Sequence, residues 1–582
     1  MIVRKLMLFV VCSLVVAVGS ANAQSEARIR GLLPKIDHAE DDLKWLIDLS
    51  PTADLKKQWK NLKENVLDAL TQGMHLDKPV EIDLVFRKDE LSYEYRIPVK
   101  DLEGRDGLLA NLKASGFTKV NEVTKGVYYE FSEKGKKPYY LRLDRDYAWI
   151  SQFKAAVPSN PPLATQDMGE LLNLKKDVVG ELKNTAEGMD PRRENFKELR
   201  KQFESVVKQR RNENENSFEL RKLSLIQQLN EAERFLVESE KLLVTWTTAT
   251  DGANPHGRGE LSFTPLPGTD LQKSLEEFAV KPSYFANVEL HPNPIFTGKM
   301  NFAVDSTRAK HSKEFYKAAR PVIESEIDAR SGETAEQKAA TKKAMNIFLD
   351  MLDAGTELHV LDAFIDGHTP APEKNVLICG IRAADGKVAD EILKLLPEMK
   401  AGWQVDKTPE EHAGVSIHKL TVPPARTEQF KKFFAGESVM YVGTSKDAVW
   451  GAAGLDAVKH LKDAIDQAAK PAPEKADPVV VNYQVHVAKV SKFLDAIKPE
   501  PAKEEPPKTK DQERIQKDKE RAQKAIEKYH DLAQKAMAGC DSLMHGELKR
   551  NGNTMDGFLE VNECVLKYIG TMMANGVKET MQ

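Results

Sequence analysis

The sequence predicts an α+β protein: antiparallel sheets built from repeated helix–hairpin–helix units, duplicated in tandem, with a long helical hairpin inserted. Three observations lead there. Segments that alternate apolar and polar residues come in adjacent pairs joined by turn residues, the signature of hairpins rather than of crossover-linked parallel strands. Amphipathic stretches of helical period precede and follow these pairs. The pattern that starts near residue 54 starts again about 280 residues later, roughly half of the chain that would follow a cleaved leader.

The leader comes first. Arg4 and Lys5 precede the apolar run Leu6–Val18, and Gly19-Ser20-Ala21-Asn22-Ala23 closes it with an Ala-x-Ala cleavage pattern. The run is short for a hydrocarbon core of roughly 30 Å, so residues 1–23 are expected to be a signal peptide cut before Gln24. Cys12 follows Val10-Val11 and lacks the small residue that lipidation requires. The mature chain is then exported, periplasmic or secreted, with no transmembrane span. It divides into a first α+β half, 24–297, and a second, 298–582, meeting near Pro292-Asn293-Pro294.

In the first half, Leu55, Trp59, Leu62, Val66 and Leu70 recur at helical spacing before the strands Val80–Phe86 and Leu91–Ile97, which turn at Arg87–Glu90. A short helix with Leu108, Leu109 and Leu112 follows, then strands at Val127–Phe131, Tyr139–Leu143 and Tyr147–Ile150. A helical arm is expected at about 166–241. Phe196, Leu199, Phe203 and Val206 form one coiled-coil-like stripe, and Phe218, Leu225, Leu229, Ala232 and Leu236 another; Asn212–Asn216 is the bend, and charges fill the solvent faces. The second hairpin, Leu242–Ala249 with Gly259–Phe263, leads to a helix capped at Thr269 or Asp270.

In the second half, a helix with Ala344, Ile347, Phe348, Met351 and Leu352 precedes the strands Glu357–Ile365 and Asn375–Arg382 and a helix with Ile392, Leu395 and Leu396. Val415–Leu420 and Val439–Val442 extend the sheet. The fourth hairpin lies between Cys540 and Cys564, after a helix over about 512–537 and before another at Val565–Met572. Pro-rich loops occur near 470–478 and 498–507.

Composition excludes several classes. With 582 residues, 41% hydrophobic and 30% charged, the chain can bury cores and is not disordered overall. A net charge of −4, from 85 basic and 89 acidic residues, offers no field for nucleic acid. The thirteen histidines show no His-Glu-x-x-His, no His-x-His and no Cys-x-x-Cys partner, so no metal site is assigned. His359, His418 and His486 fall in predicted strands and could converge in space; the favoured alternative is that they line or flank the sheet. Gly380-Ile-Arg-Ala-Ala-Asp-Gly386-Lys387 misses the P-loop spacing and has Val388 where Ser or Thr would hold magnesium. Gly414-Val-Ser416-Ile-His418 lacks the closing glycine of a nucleophile elbow. No catalytic residue and no cofactor is assigned.

Two sets of residues remain. Cys540 and Cys564 each lie twelve residues from Gly552, so a hairpin turning there brings them together as a candidate disulfide; two buried thiols are the alternative. The aromatics Tyr93, Tyr95, Tyr129, Tyr147 and Trp149 crowd one sheet. They are either a candidate aromatic binding surface or, the favoured alternative, core aromatics with cross-strand pairs.

Lys57-Gln-Trp-Lys-Asn-Leu62, Gly73 with Asp77-Lys-Pro-Val80, Ser283-Tyr-Phe-Ala286 and Val565-Leu-Lys-Tyr-Ile-Gly570 resemble segments of the uncharacterised secreted signal-peptide proteins of planctomycete-type bacteria. The resemblance implies export and an α+β repeat architecture, and it brings no activity or site. The expected function is a soluble, exported, non-catalytic protein with a binding or structural role in the cell envelope or periplasm, contacting a protein or envelope component through the helical arm. The alternatives are a carrier of an apolar ligand such as lipid between sheet and helices, and a hydrolase with a dispersed site.

Overall fold

A computed structural model describes residues 27–497 and 527–581, apart from 52, 87–90, 115–118, 125–127, 133–137, 155–156, 158–163, 211–212, 251–253, 331, 372–373, 400–401, 407, 435–437 and 529. The leader, the turn at Arg87–Glu90 and the Pro-rich loop 498–507 lie outside the described residues. The strands of the first half are β1 Ala27–Leu33, β2 Val80–Phe86, β3 Leu91–Pro98, β4 Lys119–Thr124, β5 Tyr128–Ser132, β6 Tyr139–Asp144, β7 Tyr147–Ser151, β8 Val178–Lys183, β9 Ser239–Ala249 and β10 His256–Pro265. Those of the second are β11 Pro294–Ala303, β12 Val360–Ala371, β13 Lys374–Arg382, β14 Gln404–Val405, β15 Glu410–His412, β16 Val415–Thr421, β17 Val439–Thr444, β18 Ala448–Gly454, β19 Val479–His486, β20 Leu543–Asn551 and β21 Thr554–Asn562.

The 21 strands of the described residues belong to one large antiparallel sheet. From one edge the pairings run β4-β5-β6-β7-β3-β2-β1-β8-β9-β10. From the other they run β16-β17-β18-β13-β12-β11-β19-β20-β21, with β14 and β15 both laid along β16. Position by position, the two orders are the same. They join where β10 pairs antiparallel with β21, in register from His256↔Asn562 to Phe263↔Met555. The four expected hairpins are β2–β3, β9–β10, β12–β13 and β20–β21, and they fall into two kinds by position. What recurs in strand order is therefore a ten-position half rather than a single hairpin unit four times over.

The main helices are α1 Ile36–Asp48, α2 Leu108–Ala114, α3 Ala164–Leu172, α4 Met189–Val206, α5 Glu215–Glu238, α6 Asp270–Glu277, α7 Ser306–Asp328, α8 Ala335–Gly355, α9 Ala389–Met399, α10 Pro424–Phe433, α11 Ala457–Ala468, α12 Val487–Ile497 and α13 Glu563–Met581. Two-residue alternation assigns side chains to faces. On one face, Leu242, Phe263 and Met555 pack under Leu271 and Leu275 of α6. Trp246 and Leu559 on that face meet Trp45 and Leu46 of α1 and Leu566 and Ile569 of α13. Gly570 is needed at this crossing, because a Cβ there would stand 1.8 Å from the Leu46 carbonyl oxygen. On the opposite face, α3 covers Leu32, Tyr147 and Val179. At the other end, Leu461 and Ile465 of α11 cover Phe364, Ile378 and Trp450.

The arm is shorter than expected and does not simply project. Residues 164–183 form α3 and the sheet strand β8, so the helical hairpin is α4 and α5 alone. The bend comes earlier than the expected Asn212–Asn216, because the first helix ends at Val206 and the second already holds Glu215 and Asn216; Asn214 caps α5 by accepting from Ser217 N–H at 2.8 Å. α5 docks on α7: Gln227 Nε2 donates to the His311 carbonyl at 2.8 Å, and Arg308 pairs with Glu231 at 2.8 Å. Among the described residues, no helix is long and apolar enough to cross a membrane.

Candidate functional site

The five aromatics do not make an exposed platform, because both faces of their strands are covered. Tyr129 is 2% exposed, packs with Leu108 of α2, Leu141 and Ile150, and donates its hydroxyl to Glu103 at 2.7 Å. Tyr95 joins that layer, with Tyr93 stacked on it at 6.4 Å. Tyr147 and Trp149 face the other way. Burial, and then Asp146, push the Tyr147 phenol up to about 12. Trp149 lies 4.0 Å beneath the Arg96 guanidinium.

Beside Trp149, alternation on β1, β2 and β3 places six charges on one face. Arg28 pairs with Asp83 at 2.7 Å and Glu94 at 2.8 Å, Arg30 with Glu81 at 2.6 Å, and Arg96 with Glu81 at 3.0 Å. The three carboxylates are buried. Burial and the neighbouring Glu81 hold Asp83 well above the usual carboxylate range against the pull of Arg28. Such a network ties the three strands together.

His359, His418 and His486 do not converge. His359 sits just before β12 at φ 53°, with Nδ1 3.2 Å from the Val304 carbonyl. His418 on β16 lies 3.1 Å from Asp390 of α9, and His486 ends β19 beside Asp541. Six strand steps separate β16 from β19, about 29 Å at roughly 4.8 Å per step. Three other histidines do meet. The His291 and His368 rings are parallel with centroids 4.2 Å apart, and His460 of α11 stands 5.6 Å from His368. Asp366 accepts from the His291 backbone N–H at 3.0 Å and lies 3.2 Å from His368 Nδ1. Burial, then His368, holds His460 below the ordinary histidine value.

A dispersed hydrolase needs a nucleophile–base contact. Ser491 Oγ of α12 lies 3.0 Å from His530 Nε2, but it also receives Gln534 Nε2 at 2.9 Å. Ser491 sits within α12, where the helical ladder engages backbone N–H groups that an oxyanion would need. The contact reads as helix packing. A carrier needs a cavity. Among the described residues, a cavity lined by Pro282, Ser283, Tyr284, Asn287, Arg382, Ala468, Lys470 and Ala472 holds about 230 Å³, below the roughly 300–1,000 Å³ of ligand pockets.

Cys540 and Cys564 are disulfide-bonded, with Cα atoms 6.1 Å apart at the open end of the β20–β21 hairpin. Its turn carries Gly552 at φ 63°, a left-handed position that glycine occupies freely.

The sequence reading missed one cluster. His38 and Asp42, four apart on α1, meet Asp177 from the turn before β8, with one ligand-type atom of each within 4.8 Å of the others. His38 Nε2 lies 3.2 Å from Asp177 Oδ1, while Thr248 N–H donates to Asp177 Oδ2. Burial, then Asp177, pushes the Asp42 carboxyl up to about 6. The available signal was the His-x-x-x-Asp spacing on a helix, which is weak until a third residue is brought to it. No family model matches the chain, and no curated protein or solved structure matches it either.

Proposed function

We propose that the chain is an exported, soluble, non-catalytic protein with a binding or structural role in the cell envelope or periplasm, acting through the α4–α5 hairpin. One observation carries this reading: the hairpin is anchored at its base and apolar near its tip. Arg234 of α5 reaches Asp305 at 3.3 Å, and Arg193 of α4 reaches Glu238 at 3.3 Å. The bend is clamped by Arg221, whose guanidinium meets both Glu213 oxygens at 2.6 and 2.7 Å. Near that end Phe203 is 45% and Val206 72% exposed. A braced helix pair with apolar side chains at its free end suits contact with a protein partner.

The common strand order of the two halves supports a tandem duplication, with the join just before β11. The leader supports export.

Two measurements test the function. Intact mass of the exported product should begin at Gln24; a chain retained inside the cell and starting at Met1 would overturn export. In crosslinking on intact cells, Phe203→Glu with Val206→Glu should lose the parent's adducts while keeping its circular dichroism. Unchanged adducts in that folded variant would remove the arm from the proposal.

A further inference from the structure

We propose that His38, Asp42 and Asp177 form a binding site for one divalent transition-metal cation of the Zn²⁺ class, which clasps α1 to the turn entering β8. The argument starts with Asp42. Its residue is 8% exposed, it makes no hydrogen bond or ion pair among the described residues, and its carboxylate faces a second carboxylate, Asp177. An ordinary His–Asp ion pair accounts for His38 and Asp177 and leaves Asp42 unexplained. A half-buried carboxylate without a hydrogen-bond partner is costly beside a second carboxylate. A divalent cation is the simplest species that balances both.

The geometry suits such an ion. Residues four apart on a helix share one face, so His38 and Asp42 already present their ligand atoms to the same point. Asp177 is held from behind, because Thr248 N–H donates to the oxygen that does not meet His38. That backbone donor orients the carboxylate as an outer-shell partner does in metal sites. Ligands at 2.0–2.1 Å in a tetrahedron stand about 3.3 Å apart. The His38–Asp177 separation of 3.2 Å matches that edge, and no separation in the cluster exceeds 4.8 Å, so rotation of Asp42 completes the set.

The donors also select the metal. One imidazole and two carboxylates suit zinc, manganese or iron(II) better than calcium or magnesium, which take six or more oxygens and no imidazole. The His38 side chain is 54% exposed, so the remaining coordination positions open to water. This arrangement is independent of the helical arm.

The test titrates Zn²⁺ alone into the purified, chelator-stripped protein by calorimetry, with Co²⁺ absorption as a second readout. The parent should bind one tight equivalent and give ligand-field bands with Co²⁺. His38→Ala, at an exposed ring, should keep the fold and weaken that equivalent by at least about tenfold, as should Asp42→Asn. Asp41→Asn, on the neighbouring exposed carboxylate, should bind like the parent. A parent without a tight equivalent, or one whose affinity and Co²⁺ bands survive in folded His38→Ala, would overturn the site.

Discussion

Overlapping sets of inner strands in the two halves carry different chemistry on the same face. On β1, β2 and β3 the face is ionic, with Arg28, Arg30, Glu81, Asp83, Glu94 and Arg96 locked together. On β12, β13 and β18 it is largely apolar: Phe364, Ile378 and Trp450 close around Phe285 beneath α11, with Asp362, Asp366 and His368 of β12 the buried polar residues beside them. Phe285 stands 5.1 Å from Trp450 edge-on and 5.0 Å from Phe364. Strand order is nevertheless the same. The ladder is made by backbone groups that every residue but proline supplies, so topology tolerates either filling provided each buried group finds its partner.

The largest effect should come from the apolar side. Trp450→Ala leaves a cavity in the most enclosed aromatic cluster and should cost about 3–5 kcal/mol in denaturant unfolding; a loss below about 1 kcal/mol would mean that this layer is not a core. On the ionic side, Arg28→Met strands Asp83 and Glu94 together and should cost about 3 kcal/mol or more. Replacing Arg28, Asp83 and Glu94 together by Met and Leu should recover most of that loss, which would make the first half resemble the second. If the triple variant stays as unstable as Arg28→Met, the ions specify more than they stabilise.

Cys564→Ser opens the loop that ties α13 to the last hairpin, and by the chain-entropy model it should cost about 3 kcal/mol, visible as a lower Tm without reductant. Smaller effects separate the two titrating clusters, and their signs are opposite. Asp42 has its folded value raised to about 6, so the folded state holds its proton more tightly than the unfolded one. Metal-free stability at this site therefore falls as pH rises from about 4 through 6, and Asp42→Asn should gain about 1 kcal/mol at pH 7.5. His460 has its folded value lowered. Its contribution is present above the unfolded value of about 6.5 and is lost as pH falls through the folded one. Hydrogen exchange should show α11 loosening on acidification and His460→Gln blunting it, whereas metal-free α1 tightens; equal and parallel responses would erase the contrast.

Much of this architecture was legible in the chain. The four hairpins were, because alternation and turn residues are local signals, and Thr269 does cap α6 by accepting from Gln272 N–H. β1 and β8 were not, because their alternation places Arg28, Arg30 and Glu181 on a buried face where a sequence reading expects apolar residues. The stretch before the arm looked helical throughout, and only β1 and β9 on either side show that Val178–Lys183 is a strand. The crowded aromatics were visible as a cluster, but their burial depends on α2 packing on one face of the sheet and α3 on the other. For the His38 cluster, the two helical ligands could be read from spacing; Asp177 arrives from another element.

By itself the sequence determined the class of structure, the hairpins and that two helices make the arm, since these follow from period, caps and turns within a few residues. The tertiary structure alone decided that β10 pairs with β21, that aromatic and ionic layers are covered, that α5 lies on α7, and that Asp177 faces Asp42. Those contacts join residues far apart in the chain, and their free energy depends on burial and on which charge ends up beside which, neither of which local pattern encodes.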